Sequence, residues 1–108
     1  LAEKKYVVSM SSSKKRLDAS GIERLTNTLC RIKSRREMER FLGEILTPAE
    51  LHDLVLRWEL MRRLSLGISQ RQIASALGIS LCKITRGAKV LKNRGSISRK
   101  FLAERKLL

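Results

Sequence analysis

Ser69-Gln-Arg-Gln-Ile-Ala-Ser-Ala-Leu-Gly-Ile-Ser-Leu-Cys-Lys-Ile-Thr-Arg-Gly-Ala-Lys-Val-Leu-Lys92 decides the reading of this chain. Ser69, with Gln72 three residues on, has the pattern of a capping box, so a short helix starts there. Gly78 supplies the positive backbone angle of a tight turn. Ser80 then caps a second helix. Ile73, Leu77, Ile79, Ile84 and Leu91 are spaced to lock the two helices together, and Ala74 is small where they cross. The spacing predicts a helix-turn-helix over about residues 69–93. It lies inside Leu60–Ala103, which contains no Asp or Glu and ten basic residues: Arg62, Arg63, Arg71, Lys83, Arg86, Lys89, Lys92, Arg94, Arg99 and Lys100. A helix pair on a surface of one sign suits a protein that rests on duplex phosphates and places one helix in the major groove.

Composition points the same way. The net charge of +14 on 108 residues costs self-repulsion in a compact domain unless a polyanion offsets it. Residues 1–46 carry eleven basic and six acidic side chains, and residues 47–108 carry thirteen and four, so the excess sits with the helix pair. Nucleic acid is the first partner to consider and an anionic membrane the second. No apolar run approaches the roughly 20 residues that span a bilayer, and no signal-peptide pattern is read at the start. Cys30 and Cys82 lack metal-ligand spacing and read as reduced thiols, which makes a cytoplasmic location the expectation. A chain this short holds one domain with a modest core, and a partner chain could complete that core.

Outward from the helix pair, residues 1–18 are rich in Ser and Lys around Met10-Ser-Ser-Ser-Lys-Lys-Arg16 and read as a flexible basic arm. Residues 19–108 read as a single domain. Ile22, Leu25, Leu29 and Ile32 form one apolar stripe, and Met38, Phe41, Leu42 and Ile45 a second, with a polar break at Ser34–Glu37 between them. Thr47-Pro48-Ala49-Glu50 is a helix start, with Thr47 as cap, Pro48 at the first helical position and Glu50 closing a capping box. That helix should run to about Leu66, bury Leu51, Leu54, Val55, Trp58, Met61 and Leu64, and end at Gly67. After Asn93-Arg94-Gly95 a last helix should cover about Ser96 to Lys106 and carry Ile97, Phe101 and Leu102. With no strand signal and no internal repeat, the expected fold is all-α, with about six short helices.

If the Ser80 helix enters a groove, Ser80, Leu81, Cys82 and Lys83 face the bases, and its free amide groups favour phosphate or base acceptors. Lys83 and Lys89 reach phosphates, and Gln70 and Arg71 contact the backbone from the preceding helix. The competing account is that Ser80 only caps and the lysines are solvated; capping and contact can coexist. Gly87 lies inside a helix, where glycine costs about 1 kcal/mol relative to alanine, so it marks a close approach by a ligand or by another helix. His52 has no Asp, Ser or Cys spaced to form a catalytic or metal site. Trp58 falls at helical spacing with Leu51, Leu54 and Val55 and reads as a core or interface residue. No phosphate loop, metalloprotease helix or nucleophile elbow is present, so no enzyme activity, cofactor or metal is expected. Aromatic residues at 4% argue against single-strand stacking.

Leu46-Thr47-Pro48-Ala49-Glu50, Arg57, Gly67, Ser69-Gln70-Arg71 and Ile84-Thr85-Arg86-Gly87 resemble the Trp repressor family over about Ile45 to Asn93. Ile-Thr-Arg-Gly at this place in a helix-turn-helix is the more specific part. The resemblance implies an intertwined, all-helical homodimer whose two reading helices meet a palindromic operator. It implies a transcriptional repressor gated by free L-tryptophan as corepressor, a ligand rather than a catalytic cofactor. Carried over, Arg57 and Arg86 would sandwich the indole and Arg86 would hold the carboxylate. Thr47 would lie in the same pocket, and backbone carbonyls near Ile45 and Leu46 of the other subunit would take the ammonium group. Gly87 would let the ring approach the backbone. Two features depart from enterobacterial members. Val90 stands where they have a serine, and the Gly67–Ser69 connection is one residue shorter. Arg57-Trp58-Glu59 resembles a second branch of the family, so a regulator with another ligand or none stays open.

Two other classes compete. A small basic RNA-associated protein would show strong salt dependence without operator preference or dimer symmetry. The DNA-binding part of a recombinase would need a catalytic domain for which 108 residues leave no room.

Overall fold

A computed structural model describes residues 19–105. The expected basic arm, residues 1–18, and Lys106 at the expected end of the last helix lie outside the described residues. Among the described residues there are six α-helices and no strand: α1 (Ala19–Arg31), α2 (Arg35–Ile45), α3 (Pro48–Ser65), α4 (Gln70–Leu77), α5 (Leu81–Lys92) and α6 (Ile97–Arg105). They fall into two compact units that meet in sequence at residues 45 and 46.

The first unit holds α1 and α2. Neither helix contains a fully buried residue. The break between them differs from the expected Ser34–Glu37, because α2 already begins at Arg35. Ser34 is its cap: the Glu37 N–H donates to Ser34 Oγ at 3.1 Å, and the Met38 N–H to the Ser34 carbonyl at 3.0 Å. A polar run at a helix start is helical once its first residue satisfies the free amides.

The second unit holds α3 to α6, and its boundaries follow from local chemistry. Glu50 N–H donates to Thr47 Oγ1 at 3.2 Å while Thr47 N–H donates to Glu50 Oε1 at 2.8 Å, closing the capping box at α3. Accepting that backbone bond, and the Thr47 side chain's contribution after it, keeps the Glu50 carboxyl below its ordinary pKa. At the other end Gly67 adopts φ +85°. Its N–H donates to the Leu64 carbonyl at 3.0 Å and the Ile68 N–H reaches the Arg63 carbonyl at 3.2 Å. This pair of bonds is a Schellman stop. The Ser69–Gln72 box starts α4, Gly78 at φ +65° ends it, and Ser80 Oγ accepts the Lys83 N–H at 3.4 Å to start α5.

Leu60, Met61, Ile73, Ile84 and Leu102 form the buried core, with Leu64, Ile68, Ala74, Leu77, Ile79 and Leu91 packed around it. The core therefore gathers on the C-terminal half of α3. This corrects the sequence expectation for α3, since Leu54 (46% exposed), Val55 (57%) and Trp58 (39%) lie open on the single chain and Leu51 is half-buried. The physical reason is that α3 carries apolar residues all around its axis, so periodicity alone does not select one face. On α6, likewise, Leu102 is buried while Ile97 and Phe101 are exposed.

Gly87 is buried where α5 crosses α3. A Cβ there would stand 2.5 Å from Leu60 Cδ1 and 3.3 Å from Met61 Cγ. Gly87→Ala should therefore lower stability by about 1 kcal/mol in thermal melting, since the buried Leu60 side chain would have to shift and that overpacking outweighs the gain in helix propensity. A raised melting temperature would mean that Leu60 gives way.

Candidate functional site

A cleft of about 280 Å³ opens between α3 and α5. Both walls follow helical spacing. Asp53, Leu56, Arg57, Leu60 and Met61 fall on one stripe of α3, while Cys82, Lys83, Arg86, Gly87 and Val90 fall on one stripe of α5. Ile79, in the turn before α5, completes the lining. The missing side chain at Gly87 lets the helices touch there. Leu60 and Met61, which a Cβ at Gly87 would meet, are apolar and buried. The cleft thus pairs buried apolar side chains with charged ones: Arg57, Lys83, Arg86 and one carboxylate, Asp53. A planar apolar body carrying an anionic group fits such a lining, and the volume is at the small end of ligand pockets, about 300 Å³ and upward.

The structure brings four of the expected ligand residues together here: Arg57, Arg86, Gly87 and Val90. Leu46 and Thr47 are not among the lining residues, and the Thr47 hydroxyl already serves the α3 cap. Ile45 is the last residue of α2 and is 54% exposed. Sequence reasoning did not pick out Asp53, Leu56 or Leu60, and it assigned Met61, Ile79, Cys82 and Lys83 to other roles. Asp53 stands four residues before Arg57, a spacing that reads as a routine surface pair on a helix.

The expected nucleic-acid residues cluster around the first turn of α5. Ser80, Leu81, Cys82 and Lys83 are all exposed there, and Leu81 is 51% exposed despite being apolar. The Thr85 hydroxyl donates to Gln70 Oε1 at 3.4 Å, tying α5 to the start of α4, and Arg71 is exposed beside it. Lys89 is exposed on the later part of α5. Cys82 and Lys83 belong to both regions, so the cleft and the first turn of α5 share a wall.

The acid-free stretch is less open than its sequence suggests. Glu59, one residue before it, receives Arg62 Nε at 3.0 Å, Arg62 Nη2 at 2.6 Å and Arg63 Nε at 2.8 Å. The Arg62 bonds and then the Arg63 bond hold the Glu59 carboxyl down at about 2. A depressed carboxylate contributes stability above the ordinary carboxylate range and loses it as pH falls toward 2. Eight of the ten cations then remain without a carboxylate partner among the described residues, all of them in α4, α5, α6 and the turn before α6.

Residues 20–106 match the family described as Trp repressor protein. The chain belongs to the Trp repressor family. Among curated relatives, a Trp operon repressor homolog of Xylella fastidiosa is 42% identical over 72 residues, covering 66% of this chain and 78% of its own. The homolog of Vibrio cholerae is 39% identical over 67 residues, covering 61% and 65%. That of Chlamydia trachomatis is 35% identical over 80 residues, covering 69% and 82%. No solved structure matches the chain. As a member of the Trp repressor family the chain is a helix-turn-helix regulator of the Trp repressor type, and the family is regulatory rather than enzymatic. No helix among the described residues is long and apolar enough to cross a membrane.

Proposed function

We propose that this chain is a homodimeric, sequence-specific repressor that binds palindromic operator DNA and is gated by L-tryptophan as corepressor. The observation that carries the reading is the shared wall: Arg57 and Arg86 flank a cleft whose lining includes Cys82 and Lys83 of the first turn of α5. A ligand wedged between α3 and α5 sets the angle of α5 to the body of the unit. Two chains then hold their α5 helices at a spacing that matches successive major grooves only when both clefts are filled. Arg57 and Arg86 sandwich the indole, Arg86 takes the carboxylate, and Gly87 and Val90 line the apolar part. Thr47 lies in the same pocket, and backbone carbonyls near Ile45 and Leu46 of a second copy complete the site. The names of the curated relatives support tryptophan control. The exposed apolar residues of α3 and the stripes of α1 and α2, without a buried residue on the single chain, support a second copy as their cover.

On DNA, Ser80, Leu81, Cys82 and Lys83 read the groove, Lys83 and Lys89 reach phosphates, and Gln70 and Arg71 hold the backbone. The test is fluorescence anisotropy on a duplex selected by the protein from a random pool, at several salt concentrations, with and without L-tryptophan. Lys83→Ala should weaken binding by about 1–3 kcal/mol if Lys83 contacts a base, or reduce the salt slope by about 1 if it contacts phosphate. Unchanged affinity and slope would remove α5 as the reading helix. Val90 favours a second reading, a regulator of the same architecture with a different ligand, because it offers the cleft no hydroxyl. Equal operator affinity with and without tryptophan would select that reading.

A further inference from the structure

A second cleft, of about 540 Å³, opens between α3, α5 and α6. It shares no lining residue with the first. On α5 it takes Ala88 and Lys92, which follow Arg86 and Val90 of the first cleft by two residues and so lie a little over half a helical turn around. α5 therefore has a cleft on either side. The second one has an apolar floor: Leu102 is buried, and Leu64 and Leu91 are half-buried beside it. Lys92 on α5 and Arg99 on α6 are exposed in the same lining, and neither has a carboxylate partner among the described residues. The lining contains no acidic residue. Its one hydroxyl, on Ser65, already donates to the Arg62 carbonyl at 2.6 Å.

We propose that this second cleft binds an apolar monocarboxylate, with the carboxylate between Lys92 and Arg99 and the hydrocarbon body over Leu64, Leu91 and Leu102. The charge pattern selects the class. The uncommitted polar side chains of the lining are both cationic, so an anionic head gains charge-assisted hydrogen bonds while an ammonium group is repelled. Covering the apolar floor with hydrocarbon removes it from water, which a bare anion does not do. The volume lies within the range of small-molecule pockets, about 300–1,000 Å³. The site is separate from the proposed tryptophan cleft and does not rest on that reading. Because Ala88, Leu91 and Lys92 belong to α5, an occupant bears on the same helix from its other side.

Titration calorimetry of the full chain with octanoate, without DNA, tests this. Wild type should give saturable heat with one octanoate per chain. Lys92→Gln combined with Arg99→Gln should weaken octanoate about tenfold or more. Arg94→Gln combined with Lys100→Gln removes the same charge from exposed positions outside the lining and should leave the affinity unchanged. Arg86→Ala, in the first cleft, should leave it unchanged as well. The alcohol n-octanol keeps the hydrocarbon and lacks the carboxylate, and wild type should bind it about tenfold more weakly. All these positions are exposed, so each variant should melt like wild type. Equal losses in the two double variants would reduce the effect to general charge attraction and overturn the proposal. A loss in Arg86→Ala instead would place octanoate in the first cleft and overturn it too. Absence of heat with wild type overturns it outright, and a changed sedimenting mass in the Lys92 and Arg99 variant would then make a second copy of the chain the occupant. None of these failures touches the tryptophan reading.

Discussion

Ile84→Ala should cost about 2–5 kcal/mol of stability, the range for emptying a filled core site. Ile84 is 0% exposed and sits in one buried cluster with Leu60, Met61, Ile73 and Leu102. These residues come from α3, α4, α5 and α6, so one cavity loosens the packing of α5 against all three other helices. A small domain has only about 5–15 kcal/mol in total, so chemical denaturation should show a large fall in midpoint. The control is Leu81→Ala, three residues earlier on the same helix but 51% exposed. It should leave stability within about 0.5 kcal/mol and weaken duplex binding instead. Equal stability losses in the two variants would contradict the packing described for α5.

Arg86→Ala should weaken L-tryptophan by about 2 kcal/mol or more, roughly thirtyfold, in calorimetry without DNA. The proposed guanidinium–carboxylate contact is a charge-assisted hydrogen bond, and its removal leaves the ligand's carboxylate without its main partner. Weak duplex binding that does not depend on tryptophan should persist, since most of the phosphate-directed charge remains. Measurement without DNA matters because Arg86 also lies on α5. An unaltered tryptophan affinity would move the carboxylate site to Arg57 or Lys83.

Much of the fold was legible because its boundaries are written in short-range chemistry. Thr47 with Glu50, Ser69 with Gln72, Gly67, Gly78 and Ser80 each act within a few residues of themselves, and each stands where the sequence placed it. The errors came where the decisive neighbour is distant or where a pattern fits two outcomes. Leu54 and Val55 look like core because α3 carries apolar residues on every side, and only the packing of α4, α5 and α6 shows that Leu60 and Met61 are the ones enclosed within the single chain, while exposed Trp58 keeps the interface half of its reading. Ser34 looked like part of a loop because a polar helix start and a polar break have the same composition.

The candidate site was legible by half. Arg57, Arg86, Gly87 and Val90 were singled out together, and the structure brings them into one cleft. Asp53 was passed over because a lone acid four residues before an arginine normally reads as its partner. The charge count misled in a similar way. The acid-free stretch begins one residue after Glu59, whose carboxylate takes up Arg62 and Arg63 at i+3 and i+4. Both accounts of Gly87 describe one fact, since the position that lets α5 approach Leu60 also lines the cleft.

In the proposed mechanism, filling the α3–α5 cleft with L-tryptophan sets the reading position of α5. Titration of L-tryptophan into the wild-type chain, followed by duplex binding of the same sample with and without the ligand, tests it most directly. Saturable heat with one tryptophan per chain is expected, and operator affinity should rise as the cleft fills. A folded sample that binds its operator tightly, gives no heat with tryptophan and is indifferent to its presence would rule out gating by tryptophan.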